Sequence, residues 1–245
     1  MTMRLGEART PDGMRLYAIG DVHGCDAMLA DMHGRIGRDL AARPVADHRI
    51  IHIGDYGDRG PDTAGVIARL VALTAGDPCV MCLRGNHDQM LIDFLANPER
   101  GAPMFLANGG KETLRSYGVN LRRQNYASLG AQLAEKVPKA QRAFLEALPF
   151  TARFGDFLFV HAGIRPGVPL AGQEPQDLIW IREEFLGSGA DHGFVVVHGH
   201  TPANRAEVLP NRINVDTGAV YGGPLTCVVL EGTEVRFIEV APSGR

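Results

Sequence analysis

An α/β fold built on parallel strands is what this sequence predicts, on three observations. Three times within residues 15–88 a short apolar run leads into a polar, glycine-bearing loop, and the first two loops lead into helical patterns, the rhythm of βαβ units. Each polar loop falls at the carboxyl end of its run, where sheets of this kind place ligands. Strand-like runs resume at residue 157 and end the same way, in histidine within two residues of glycine.

Taken in order, residues 15–19 read as the first strand. It ends in Gly20-Asp21-Val22-His23-Gly24, where an aspartate and a histidine two apart can point into one cleft. A turn aspartate capping the next helix is the competing account of Asp21. Residues 26–42 follow as an amphipathic helix with Met28, Leu29, Met32, Ile36 and Leu40 on one stripe. His33 lies off that stripe and is expected at the surface. A second strand, 49–53, leads into Gly54-Asp55-Tyr56-Gly57-Asp58-Arg59-Gly60. Asp55 and Asp58 cannot both be buried and ionised without a cation, because an unpaired buried charge is costly. Arg59 can balance one, and the other is a candidate metal ligand. Alone, the stretch reads as well as a solvated turn with a surface ion pair. Pro61 suits the first turn of a helix continuing over 62–74. A third run, 80–83, ends at Arg84-Gly85-Asn86-His87-Asp88. Cys79 and Cys82 lie within Cys79-Val80-Met81-Cys82-Leu83, alternating with Val80 and Met81, and two core thiols account for them better than a zinc or redox pair.

Residues 88–149 change character. Periodic segments at 90–95 and 140–148 predict helices joined by Gly- and Asn-bearing loops, with no histidine. This reads as a mostly helical insertion, walling the cleft, within one domain spanning 1–245. Strands resume at 157–160, before His161-Ala162-Gly163, and at 194–197, before His198-Gly199-His200-Thr201-Pro202. Between them Leu178-Ile179-Trp180-Ile181-Arg182 carries the only tryptophan. Further strand-like runs cover 212–215, 225–230 and 234–240. Asp216-Thr217-Gly218 and Tyr221-Gly222-Gly223 lie in loops, with Tyr221 expected as a packed loop aromatic.

Composition narrows the function classes. The chain has 245 residues, 45% of them hydrophobic, enough for a sizeable core. A net charge of -3, from 25 basic and 28 acidic residues, gives no electrostatic case for nucleic acid or anionic membrane as partner. No apolar run reaches the ~18 residues of a spanning helix. The first fifteen residues lack the apolar core of a secretory signal. Four scattered cysteines make no disulfide scaffold, so a reduced, cytoplasmic protein is expected.

At the strand ends stand Asp21, His23, Asp55, Asn86, His161 and either His198 or His200. This nitrogen and oxygen set exceeds the about four donors of one tetrahedral zinc. It suits two divalent ions roughly 3.5–4 Å apart that share a carboxylate and clamp an in-line phosphoryl displacement. Asp55, in the middle, is the natural bridge. His87 then becomes a candidate acid for a leaving alkoxide, with Asp58 to orient its imidazole and raise its pKa. Arg59 and Arg182 are candidates for binding phosphate oxygens in forked geometry. An ion pair of Arg182 with Glu183 or Glu184 is the competing account. Manganese is the expected ion from the oxygen-rich set, with iron or zinc as alternatives.

These motifs resemble the phosphoprotein phosphatase family of the calcineurin-like metallophosphoesterases, most of all its bacterial and phage-type members. The matches are GDVHG (20–24), GDYGDRG (54–60), RGNHD (84–88), HAG (161–163) and GH (199–200), in the family's order. The resemblance implies a central β-sandwich of mixed sheets flanked by helices. It places Asp21 and His23 on a first metal, Asp55 between two metals, and Asn86, His161 and His200 on the second. It implies His87 and Asp58 as the acid pair, and Arg59, Arg182 and Asn86 around the phosphate. The implied reaction is hydrolysis of phosphomonoesters, phosphoserine and phosphothreonine in proteins first, by direct attack of a metal-bridging hydroxide. A symmetrical dinucleoside tetraphosphatase shares the motifs and is the alternative. The expected partner is a phosphoprotein or a phosphorylated small molecule. The C-terminal signatures of eukaryotic relatives are not seen, so no regulatory subunit is expected. A binding module that has lost catalysis is the other class considered, but no ligand or acid is missing. Gly57 stands where an apolar residue is usual and is expected to loosen its loop. Pro202 replaces a histidine found in wider relatives, so the first metal is expected to exchange more readily.

Overall fold

The computed structural model describes residues 5–122 and 124–242. β1 (Met14–Ile19), α1 (Asp26–Ala42), β2 (Asp47–His52), α2 (Thr63–Gly76) and β3 (Val80–Cys82) open the chain. The helical segment follows, as α3 (Asn86–Ala96), α4 (Pro98–Ala107), α5 (Gly110–Ser116), α6 (Tyr126–Lys136) and α7 (Lys139–Ala147). β4 (Thr151–Phe154) and β5 (Phe157–Val160) lead to α8 (Pro175–Trp180) and α9 (Glu183–Leu186). β6 (Val195–His198), β7 (Glu207–Leu209), β8 (Arg212–Asn214), β9 (Leu225–Glu231) and β10 (Glu234–Val240) complete it.

The strands form two mixed sheets. The first has the order β10-β9-β1-β2-β3, with β1, β2 and β3 parallel and β9 antiparallel to β1. The second has the order β4-β5-β6-β8-β7, with β5, β6 and β8 parallel and antiparallel strands at both edges. The βαβ reading therefore holds for β1 to β3, while the tail runs divide: 212–215 joins the second sheet and the β9–β10 hairpin the first.

Strand alternation builds the layers. In β1, Leu16 and Ala18 face the space between the sheets, where they meet Ile51, Phe157, Phe159, Val195 and Val197. Tyr17 and Ile19 point the other way, onto Met28, Leu29, Met32 and Ile36 of α1 and onto the helical segment. In β5, Leu158 and Val160 point outward to Leu178, Ile181 and Phe185. The result is a sandwich with helices on both outer faces, and each buried aliphatic contributes about 1.5–3 kcal/mol. α2 starts one residue later than Pro61 suggests, because Asp62 is its cap and accepts from the Gly65 N–H at 2.8 Å.

Two sequence expectations change here. His33 is half-buried rather than at the surface, because β2 brings His52 against α1 and the two Nε2 atoms meet at 2.8 Å. Of the paired cysteines only Cys82 is a core thiol; Cys79 is half-buried and precedes the strand.

Candidate active site

The loops after β1, β2, β3, β5 and β6 open at one end of the sandwich, so both sheets contribute to one site. Their backbone is strained there. Among the described residues the non-glycine positions with positive φ are His23, Asp55, Asp58, Arg59 and His200. All five are residues the sequence singled out, and such conformations cost of order 1–3 kcal/mol each. The surrounding structure holds them. The Asp88 carboxylate accepts from the backbone N–H groups of Asp55 (2.9 Å), Tyr56 (3.0 Å) and Gly85 (2.8 Å). Gly57 is closely packed: a Cβ there would lie 2.8 Å from Thr63 Cγ2, so a larger residue would require Thr63 to shift.

Asp55 is the centre. His23 Nε2 lies 3.5 Å from its Oδ2 and His87 Nε2 4.0 Å away, while His161 Nε2 lies 3.4 Å from Oδ1. His161 Nε2 is also 3.0 Å from Asn86 Oδ1 and 3.2 Å from His200 Nδ1. Two overlapping sets, His23–Asp55–His87 and Asp55–His161–His200, each gather donors within 4.8 Å. His23 Nδ1 donates to the Gly57 carbonyl at 2.7 Å, and His161 Nδ1 to the Ile53 carbonyl at 3.0 Å. Each ring thereby turns Nε2 toward Asp55, the outer-shell arrangement that orients histidine ligands. Asp21 lies alongside, its oxygens 3.3 and 3.2 Å from the His200 backbone N–H. His87 rather than Asp21 completes the first set.

The electrostatics ask for a cation. Burial, then the neighbouring Asp216, pushes the Asp21 carboxyl well above its usual range. Burial lifts Asp88 and Asp216 to about 6, with Asp55 adding to both. Burial also disfavours ionised Asp55, but His161 and His87 outweigh it and hold the group well below its usual value. Burial would lower His161, yet Asp55, Asp21 and Asp88 push it up to about 9. Burial leaves His23 and His200 neutral, at about 3 and about 2, the form that binds metal. His200 Nε2 and His87 Nε2 are buried without a partner. Divalent cations fit this set: buried carboxylates in excess, neutral imidazoles and unused ring nitrogens.

His87 Nδ1 meets Asp58 Oδ2 at 2.7 Å, both groups buried. Arg59 Nη1 lies 2.6 Å from His23 Nε2, and its guanidinium stands 5.7 Å from the centre of the Tyr221 ring. Tyr221 is not packed: it is 64% exposed, because the short 3-10 turn Ala219–Tyr221 swings it out between left-handed Gly218 and Gly222. Arg182 reaches Thr201 Oγ1 and the His200 carbonyl, each at 3.4 Å, and no described contact pairs it with Glu183 or Glu184. Glu184 instead faces Arg165 at 4.0 Å. Trp180 stands edge-on to His200 at 6.0 Å. His198 is turned away, against Phe185. A cavity of about 430 Å³ opens beside Asn86, lined by Met90, Asp93 and Arg100 of the helical segment and by Gln176 and Trp180.

Sequence reasoning missed Asp88, Thr63, Thr113 and Asp216. Asp88 had a signal, since a carboxylate three residues after Gly85 can reach back to that residue's N–H at a helix start. Thr113 had none.

The model of the calcineurin-like phosphoesterase family matches residues 14–236. The chain is 31% identical over 225 residues to serine/threonine-protein phosphatase 1 of Salmonella typhimurium, covering 86% of this chain and 89% of that protein. It is 25% identical over 248 residues to an asymmetrical bis(5'-nucleosyl)-tetraphosphatase of Halalkalibacterium halodurans, covering 93% and 94%. By structure it resembles a candidate diadenosine tetraphosphatase with a TM-score of 0.66 at 21% identity, covering 96% and 100%. A serine/threonine phosphatase from Saccharomyces cerevisiae follows the same fold with a TM-score of 0.61 at 12% identity, covering 96% and 82%. The matched span runs from β1 into β10 and takes in every loop of the site, so the chain belongs to the calcineurin-like phosphoesterases, metal-dependent hydrolases of phosphoric esters.

Proposed function

We propose that the protein is a phosphomonoesterase that holds two divalent cations and acts on phosphoserine and phosphothreonine in proteins. The observation that carries this reading is one carboxylate, Asp55, common to two donor sets. Asp21, which lies alongside the His23–Asp55–His87 set, would take the place of His87 on the first cation with His23 and Asp55, leaving His87 as the acid; Asp55, Asn86, His161 and His200 would hold the second, with manganese the expected ion. When bound, such a pair activates water and neutralises charge on the phosphoryl oxygens.

This chain's own residues do the rest. Arg59, Arg182 and Asn86 bind and orient the phosphoryl oxygens. His87 keeps its Nδ1 proton on Asp58 and gives its Nε2 proton to the leaving serine or threonine alkoxide. Water is the nucleophile, and no phosphoenzyme forms. The four free thiols suit a reducing compartment, and we place the protein in the cytoplasm with no nucleic acid, membrane or regulatory subunit as partner.

The test is Asp55→Asn with manganese and 4-nitrophenyl phosphate. Turnover should fall by roughly 10²-fold or more, as for other preorganised charge stabilisers, and metal bound per chain should drop. Near-normal turnover refutes the shared-carboxylate reading.

A second reading has its own support, because several relatives are named as tetraphosphatases. They are of the asymmetrical kind, not the symmetrical kind expected from the sequence. Initial rates on a phosphoserine peptide and on diadenosine tetraphosphate decide between the two readings. The first predicts the faster rate on the peptide.

A further inference from the structure

α5 lies in the helical segment, 55 residues beyond Asp58 in sequence, yet its Thr113 is fully buried against the acid pair. Thr113 Oγ1 donates to Asp58 Oδ1 at 2.5 Å. The same oxygen accepts from the Asp58 backbone N–H at 3.0 Å and lies 3.0 Å from Thr63 Oγ1. The other Asp58 oxygen, Oδ2, takes His87 Nδ1–H.

Proton counting fixes the directions. An ionised carboxylate only accepts, and a threonine hydroxyl has one proton to give. Thr113 gives its proton to Asp58, so Thr63 must donate to Thr113. Hydrogen bonds therefore run from Thr63 to Thr113 to Asp58, and from His87 to Asp58. Both carboxylate oxygens are held, one by the helical segment and one by the acid. Neither can turn without breaking a buried charge-assisted bond, which is stronger than a neutral one. Asp58 also sits at φ 66, a backbone state that its own loop does not favour.

We propose that Thr113 is a positioning residue: it fixes the Asp58 carboxylate and through it the His87 imidazole, so that α5 takes part in leaving-group protonation. The proposal rests on the reading of His87 as the general acid. A packing role alone, filling the space beside Gly57, is the competing account.

The two accounts differ in how they depend on the leaving group. Nitrophenolate departs without a proton, whereas the alkoxide of serine requires one. Thr113→Val keeps the shape and removes the hydroxyl; Thr113→Ser keeps the hydroxyl and removes the methyl. With manganese, Thr113→Val should lower kcat on a phosphoserine peptide roughly 10- to 100-fold, part of the 10²–10⁴ that general acid catalysis supplies. Its kcat on 4-nitrophenyl phosphate should stay within about threefold of wild type, since that step needs no acid. Thr113→Ser should retain both rates. In the metal-free protein, the His87 Nδ1 proton should be visible by imidazole NMR in wild type and Thr113→Ser and lost to exchange in Thr113→Val.

Equal losses on both substrates, or an unchanged Nδ1 proton in Thr113→Val, would overturn the proposal. If Thr113→Val does not fold, Thr113→Ala is read the same way, because the ratio of the two rates is internal to each preparation. A wild-type enzyme that hydrolyses neither ester with manganese sinks the phosphatase reading itself. Wild-type activity with an unmoved ratio in the variants sinks only the role of Thr113.

Discussion

Two of the histidine pairs that meet inside this molecule do so under opposite electrostatic conditions. His161 and His200 touch at 3.2 Å with Asp55, Asp21 and Asp88 around them, and His161 is pushed up to about 9. His33 and His52 touch at 2.8 Å between α1 and β2 with no carboxylate against the shared nitrogens. Burial lowers both, to about 4 and about 3, with Arg69 lowering His33 further and Asp26 opposing it. His52 Nδ1 reaches the Met81 carbonyl at 3.3 Å, so its Nε2 accepts and His33 donates. Ring distances differ little, 5.0 and 5.1 Å between centres. A histidine pair by itself is therefore neutral packing; carboxylates in excess turn one into a cation-demanding site.

The largest break in this contrast is Asp55→Asn. Besides the loss of turnover, His161 in the metal-free protein should lose its main counter-charge and fall from about 9 toward the neutral range of His52. An NMR titration of the imidazoles checks it. Next comes pH dependence, where the two pairs act in opposite directions. Stability from His161 is fully present below about pH 6.5 and is lost as pH rises through about 9. His33 and His52 are bases depressed by folding, so the unfolded chain binds protons first. Their stability is present above about pH 6.5 and is lost as pH falls, on the order of 2 kcal/mol for each by pH 5. Urea unfolding of metal-free protein at pH 7 and pH 5 should show a shallower acid loss in a His33→Leu/His52→Leu double variant than in wild type.

A smaller effect concerns the strained loops. Arg59→Gly relieves a left-handed φ of 64 and should stabilise the fold by about 1 kcal/mol while kcat/KM falls. Thermal melting and kinetics on one preparation read both. The smallest is Tyr221→Ala: an exposed side chain whose loss should leave stability within about 0.5 kcal/mol.

Local chemistry was legible in the sequence, and distant pairing was not. Asp21, His23, Asp55, Asn86, His87 and His161 sit just past strands, and period and loop composition found them there; the choice of His200 over His198 came from the resemblance. That the tail runs divide between two sheets is a tertiary choice with no local mark. β7 is an edge strand exposed at every residue and shows no alternation to detect. His33 looked like a surface residue because helical periodicity knows nothing of His52 on a neighbouring strand. Thr113 reaches Asp58 across 55 residues, through one hydroxyl of a kind that surface helices commonly carry. The resemblance to known motifs supplied the sandwich, which strand rhythm alone would have made a single parallel sheet.

Anomalous diffraction from crystals grown with manganese tests the central claim most directly. The account predicts two peaks flanking the Asp55 carboxylate, one toward His23 and one toward His161 and His200. A single peak, or manganese found only away from Asp55, would contradict it.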